Sequence, residues 1–194
     1  MRTNNIKQKV KEYFLNNPTK KLRVRQIERT LNLPLPSIIR YTKELVKEKI
    51  LEIENIANIK LFKANYGSSE YLLEKKLHNI KQLYTSGLIN YLIEEYSNPP
   101  IILFGSFSRG EDIEDSDIDI YIETPAKDKP NLEKFEKILQ KEIQVFIHKN
   151  LKNISNPHLA NNIINGMTLN GFIEIIEEKD GWKKKANKLG RLPT

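Results

Sequence analysis

The chain has no cysteine among its 194 residues. Disulfide scaffolds, thiolate zinc sites and thiol catalysis are therefore excluded, and nothing argues for an oxidising compartment. Long apolar runs are missing too. No stretch approaches the roughly 18 uncharged apolar residues of a membrane span, and the opening MRTNNIKQKVKEYF lacks an apolar core of signal-peptide length. The expectation is a cytoplasmic chain with no membrane partner. Acidic residues are scarce, with 25 Asp and Glu against 32 Lys and Arg, a formal charge of +7. At 39% apolar content the chain folds, and its length accommodates one ordinary domain or two small ones.

The acid shortage is local. Residues 1–66 carry 15 basic and 6 acidic side chains, residues 67–180 carry 12 and 19, and residues 181–194 carry 5 and none. A basic first third beside an acidic middle suits a module that meets a polyanion, next to one that gathers carboxylates for another purpose.

Apolar periodicity predicts a helix over residues 4–16, with Ile6, Val10, Tyr13 and Phe14 at helical spacing, ended by Asn16-Asn17-Pro18. A short helix follows from Val24 to Leu31. A third, from about Leu35 to Lys49, places Leu35, Ile38, Ile39, Thr42, Leu45 and Val46 on one face, leaving Arg40, Tyr41, Lys43 and Lys47 on the other. Residues 50–54 and 59–63 alternate as two strands around Asn55-Ile56-Ala57-Asn58. Three helices and a hairpin over residues 1–66 resemble the winged helix-turn-helix family. That resemblance implies duplex DNA as partner, with Arg40, Tyr41, Lys43 and Lys47 entering the major groove. Lys60 and Lys63 on the wing, and Arg23 and Arg25 at the second helix, would touch phosphates. Winged helices also serve as protein-binding or dimerising modules, so a partner protein or a homodimer is the alternative for this region.

Residues 67–86 read as a connecting helix, broken by Thr85-Ser86-Gly87, and a further helix starts near Gly87. Asn98-Pro99-Pro100 opens a strand, Ile101–Phe104, whose unbroken apolar run predicts burial on both faces. Strands over 118–123 and 143–147 and helices over 132–141 and from 159 complete the pattern, an α+β chain with a small mixed sheet. Residues 181–194 read as a basic tail, with Trp182 beside Lys183, Lys184 and Lys185.

The chemistry concentrates after the first of these strands. Gly105-Ser106 follows it directly, Arg109-Gly110 comes next, and ten residues separate Ser106 from Asp117-Ile118-Asp119. Glycine at a strand end lets the backbone turn sharply toward a ligand, and serine at a helix start offers its hydroxyl and nearby N–H groups to phosphate oxygens. Two aspartates one residue apart on a strand share a face, with Cα atoms roughly 6 to 7 Å apart, and can hold one hard cation.

The spacing G-S-x10-D-x-D, with Ser116 before the first aspartate and Ile118, Ile120 and Ile122 around it, resembles the nucleotidyltransferase superfamily that includes DNA polymerase beta. It is most similar to the minimal branch, which includes antitoxins of HEPN/MNT toxin–antitoxin pairs, over about residues 87–180. The resemblance implies that Gly105, Ser106 and Arg109 bind the triphosphate of an incoming nucleotide, ATP above all. Asp117 and Asp119 would be the catalytic carboxylates and ligands of Mg2+, and a HEPN-type toxin would be a partner. The family commonly places a third aspartate on a neighbouring strand, where this chain has Gln144. An amide cannot accept a proton at neutral pH, so slow turnover is expected unless Glu142, on the same face by period two, substitutes. A nucleotide-sensing regulator with an idle transferase domain is the competing reading. His78, His148 and His158 are expected on the surface, and Glu111, Asp112, Glu114 and Asp115 in a solvated loop.

Overall fold

The computed structural model describes residues 2–174; the basic tail and Trp182 lie outside them. Helix α1 (Arg2–Asn16) is followed by α2 (Val24–Leu31) and α3 (Leu35–Lys47). Asn32 in the left-handed region ends α2, and Pro36, whose fixed φ suits a first helical turn, helps start α3. Strands β1 (Leu51–Ile56) and β2 (Ile59–Ala64) pair antiparallel through a two-residue turn. There Ala57 and Asn58 both have positive φ, the geometry that matches the twist of a hairpin. Leu22 adds one bridge to Phe62 on β2. Val10, Phe14, Ile27, Ile38, Leu45 and Phe62 close the core of this region.

The face assigned to α3 needs correction. Its buried residues are Ile38, Tyr41, Thr42 and Leu45, an i, i+3, i+4, i+7 stripe, so Tyr41 is 5% exposed and Ile39 faces outward. The hydroxyl of Thr42 is satisfied inside the helix by donating to Ile38 O at 2.7 Å, which lets this polar residue hold a core position.

Ser68 caps α4 (Ser69–Thr85), accepting from Tyr71 N, and Gly87 at φ +82° breaks the chain between α4 and α5 (Leu88–Glu95). Then come β3 (Ile101–Phe104), the single turn α6 (Gly105–Arg109), β4 (Ile118–Glu123), α7 (Glu133–Leu139), β5 (Ile143–His148), α8 (Pro157–Ile164) and β6 (Met167–Asn170). The sheet order is β5-β4-β3-β6, with β4 and β5 parallel and the other neighbours antiparallel. Every residue of β3 is buried. Ile101, Leu103, Ile118, Ile120 and Ile122 pack with Leu88, Leu92 and Phe135 of α5 and α7, while Ile102, Phe104 and Tyr121 face Ile163 of α8. Period two therefore puts Asp117 and Asp119 on the side of Tyr121. Among the described residues no helix is long and apolar enough to cross a membrane.

Candidate active site

At the end of β3 the chain turns at Gly105, φ +73°. A Cβ there would collide with Asp119 Oδ2, so glycine is required both by conformation and by the carboxylate lying against it. Ser108 Oγ donates to Gly105 O at 2.8 Å and closes the turn. Gly110, also left-handed, terminates it, its N–H donating to Ser106 O. Ser106 is half-buried and Arg109 exposed, with Arg109 Nε donating to Glu111 Oε2 at 2.6 Å.

On β4, Asp119 stands in register between Phe104 of β3 and Gln144 of β5. Burial and the neighbouring Asp117 raise its pKa above the usual carboxylate range, with Arg109 opposing. Asp117 is half-buried and accepts a hydrogen bond from Gln144 Nε2 at 2.5 Å. The structure thus gathers Gly105, Asp117, Asp119 and Gln144, with Arg109 near enough to act on Asp119 by its charge. Glu142 is exposed just before β5, its carbonyl accepting from Ile118 N at 2.9 Å.

Mg2+, the cation the resemblance implies, suits this donor set. Two hard carboxylates share one face, and their mutual repulsion, felt at Asp119, is what a divalent cation would relieve. Among the described residues no group of three or more His, Cys, Asp or Glu forms that could hold a metal. Asp117 and Asp119 offer two carboxylates, and a cation on them would keep further positions for waters and phosphates.

The loop before Asp117 departs from expectation. Glu111 and Asp115 are exposed, but Asp112 is fully buried and paired with Lys75 of α4. Lys75, Asn79 and Lys141 surround it, and none was singled out by the motif. The signal was present in α4, where polar residues occupy two positions of its i+4 buried stripe, Tyr71, Lys75, Asn79 and Leu83. His78 is half-buried, its Nε2 2.7 Å from Asn16 Oδ1 of α1, because α4 packs on that helix. His158 is exposed and His148 half-buried beside Tyr121.

Of the residues assigned to DNA, Tyr41 is in the core. Arg40 is exposed, but its Nε donates to Glu44 Oε1 at 2.9 Å. Lys63 bridges Glu52 and Glu54 at 3.1 and 3.0 Å. Lys43, Lys47 and Lys60 are exposed and have no ion pair among the described residues.

A small mixed sheet with a glycine–serine turn at one strand end and paired aspartates on the next strand defines a nucleotidyl-transfer fold. The nucleotidyltransferase domain family matches residues 86–184, and the chain belongs to it. A Methanocaldococcus jannaschii protein, provisionally named a protein adenylyltransferase, is 35% identical over 79 residues, covering 37% of this chain and 76% of that protein. No solved structure matches the chain.

Proposed function

We propose that this chain transfers a nucleoside monophosphate from ATP to a hydroxyl acceptor, with Mg2+ held by Asp117 and Asp119. The observation that carries this reading is the packing of Gly105 against Asp119, which brings the phosphate-binding turn and the carboxylate pair together. Gly105 and Ser106 seat the triphosphate, and Arg109 offsets its charge. The acceptor oxygen attacks the α-phosphorus, the bond to the bridging oxygen breaks, pyrophosphate leaves, and the hydroxyl proton passes to water. Mg2+, when bound, would neutralise charge that develops on the phosphate oxygens. Gln144 donates to Asp117 but cannot take the proton, which makes for slow turnover. The relative's printed name favours a protein hydroxyl as acceptor.

Residues 1–66 are, in this reading, a winged helix that binds duplex DNA and brings the transferase to it. Support comes from a cleft of about 610 Å³ between α2 and the wing, lined by Arg23, Arg25, Arg29 and Lys60 and by no carboxylate. None of the four has an ion pair among the described residues. Gln144 is also the observation that favours the second reading, a DNA-binding regulator or antitoxin-like protein that holds nucleotide without turning it over.

Incubation with labelled ATP, Mg2+ and candidate acceptors separates the two. Label transfer with pyrophosphate release, lost in Asp117→Asn, is expected of the enzyme; ATP binding without either product would leave the regulator standing.

A further inference from the structure

Helix α4 crosses the loop that joins the phosphate-binding turn to the carboxylate strand, and it grips that loop from inside. Lys75 and Asp112 are 2% and 0% exposed, and Lys75 Nζ donates to Asp112 Oδ2 at 2.9 Å. The other carboxylate oxygen accepts from Asn79 Nδ2 at 2.6 Å, and the same amide donates to Phe107 O at 2.9 Å, inside α6. From the α7–β5 side, Lys141 Nζ lies 3.4 Å from Asp112 Oδ2 and donates to the carbonyls of Ile113, Glu114 and Ser116 at 2.5, 3.2 and 3.1 Å. The two ammonium groups also flank the Phe107 ring, 6.0 and 5.9 Å from its centre. At Gly110 a Cβ would lie 2.6 Å from Leu72 O, so the backbone of α4 packs directly on the loop.

None of these side chains takes part in the reaction proposed above. A buried ion pair is also a poor device for stability alone, because apolar residues of similar volume often fold as well or better. What this one does is geometric. Asn79 fixes the start of the loop through Phe107 O, Lys141 fixes its end through Ser116 O, and the Asp112 carboxylate joins both cations and the amide at the centre. Ser116 is the residue before Asp117, and Phe107 is the residue after Ser106.

We propose that Asp112, held by Lys75, Asn79 and Lys141, is a positioning residue for nucleotidyl transfer, fixing the Gly105–Arg109 turn relative to Asp117 and Asp119. The proposal rests on the transferase reading, since turn and carboxylates must address one triphosphate at once. Misplacing either half by about 1 Å would cost on the order of 10²-fold in rate.

The test is the full-length double variant Lys75→Met with Asp112→Leu, which removes the buried pair at similar volume and leaves Lys141 on the carbonyls of Ile113, Glu114 and Ser116. Hydrogen exchange at the amides of Glu111, Ile113 and Ser116, all hydrogen-bonded within the loop, reads its order without any nucleotide. The expected result is a folded chain with faster exchange at these three amides and pyrophosphate release from ATP lowered by about 10²-fold. Wild-type exchange and wild-type release would overturn the proposal, since the pair would then be a core feature only. Should the double variant not fold, Asn79→Ala keeps the Lys75–Asp112 pair and cuts the ties from Asn79 to Phe107 O and to Asp112; unchanged exchange and release there would overturn the proposal equally. A wild-type chain that binds no ATP in Mg2+ would remove the transferase reading and the positioning role with it. That outcome is distinct from unchanged exchange in a chain that does bind.

Discussion

Gln144 Nε2 donates to Asp117 Oδ2 at 2.5 Å across the parallel pair β4 and β5, while its backbone stands in register with Asp119. One neutral amide therefore sits against the Asp117 carboxylate, on the strand beside Asp119. It supplies a proton donor to a residue whose oxygens a cation would want, and supplies no acceptor for the proton that transfer releases.

The first prediction follows from that contact. Gln144→Asp should raise the rate of nucleotidyl transfer by as much as the general-base factor of about 10² to 10⁴, with ATP affinity little changed. Single-turnover rates with labelled ATP would show it. Glu142→Gln should slow the wild type only if Glu142 already serves as base. A fast wild type that Gln144→Asp leaves unchanged or slows would mean that the missing aspartate was no loss.

Asp117→Asn and Asp119→Asn should each abolish the Mg2+-dependent part of ATP binding. They should also leave the ligand-free fold intact or firmer, because each removes a like charge from a crowded pair. Calorimetric titration of ATP with and without Mg2+, beside a thermal melt, measures both effects. Equal ATP affinity with and without Mg2+, unchanged in Asp117→Asn, contradicts the assignment.

The glycine–serine turn and paired aspartates were legible in the sequence because short-range rules govern them: a strand end, a positive-φ glycine and period two. Helix α4 was not. Its apolar residues Leu73 and Leu77 suggest a stripe, yet both are more than half exposed, and the buried positions are Tyr71, Lys75, Asn79 and Leu83. Steps of four residues in a helix of 3.6 per turn advance about 40° each, so this stripe winds about 120° around the axis. It leaves the core of the N-terminal helices at Tyr71 and enters that of the transferase sheet at Leu83. Between the two cores the buried contacts are polar, and their partner Asp112 lies 37 residues away from Lys75. No local pattern encodes that pairing. Tyr41 misled for a simpler reason: its position completes the i, i+3, i+4, i+7 set of α3 as well as any aliphatic residue would.

The α1–α4 junction should be acid-sensitive. Burial first, and the nearby Lys75 second, lower the pKa of His78 below 6.5, so the folded chain holds its imidazole neutral. The unfolded chain then binds the proton more readily. The stability linked to His78 is fully present above pH 6.5 and is lost as pH falls from there through the depressed folded value. Melts between pH 7.5 and roughly 5 should show a decline that His78→Gln reduces. An identical decline in the variant would assign the acid sensitivity elsewhere.

DNA binding, finally, should depend more on the α2–wing cleft than on Arg40 of α3. Arg40 already has a carboxylate partner in Glu44 and Lys63 has two, so bringing either to a phosphate means giving up an existing contact. Arg23, Arg25, Arg29 and Lys60 have no such partner among the described residues and line one concave surface. Four cations meeting phosphates should release counterions, so duplex affinity of the full chain should fall steeply with salt, with a log–log slope near −0.9 per contact. Replacing Arg25 or Arg29 by Ala should weaken binding to all sequences alike and reduce the slope by about one. Arg40→Ala should do less, since it frees Glu44 rather than removing an available cation. Fluorescence anisotropy with a short labelled duplex over a salt series measures each of these. No binding at low salt, or binding indifferent to salt, would exclude duplex DNA as the ligand of this surface. A larger loss in Arg40→Ala than in the cleft variants would return the contact to α3.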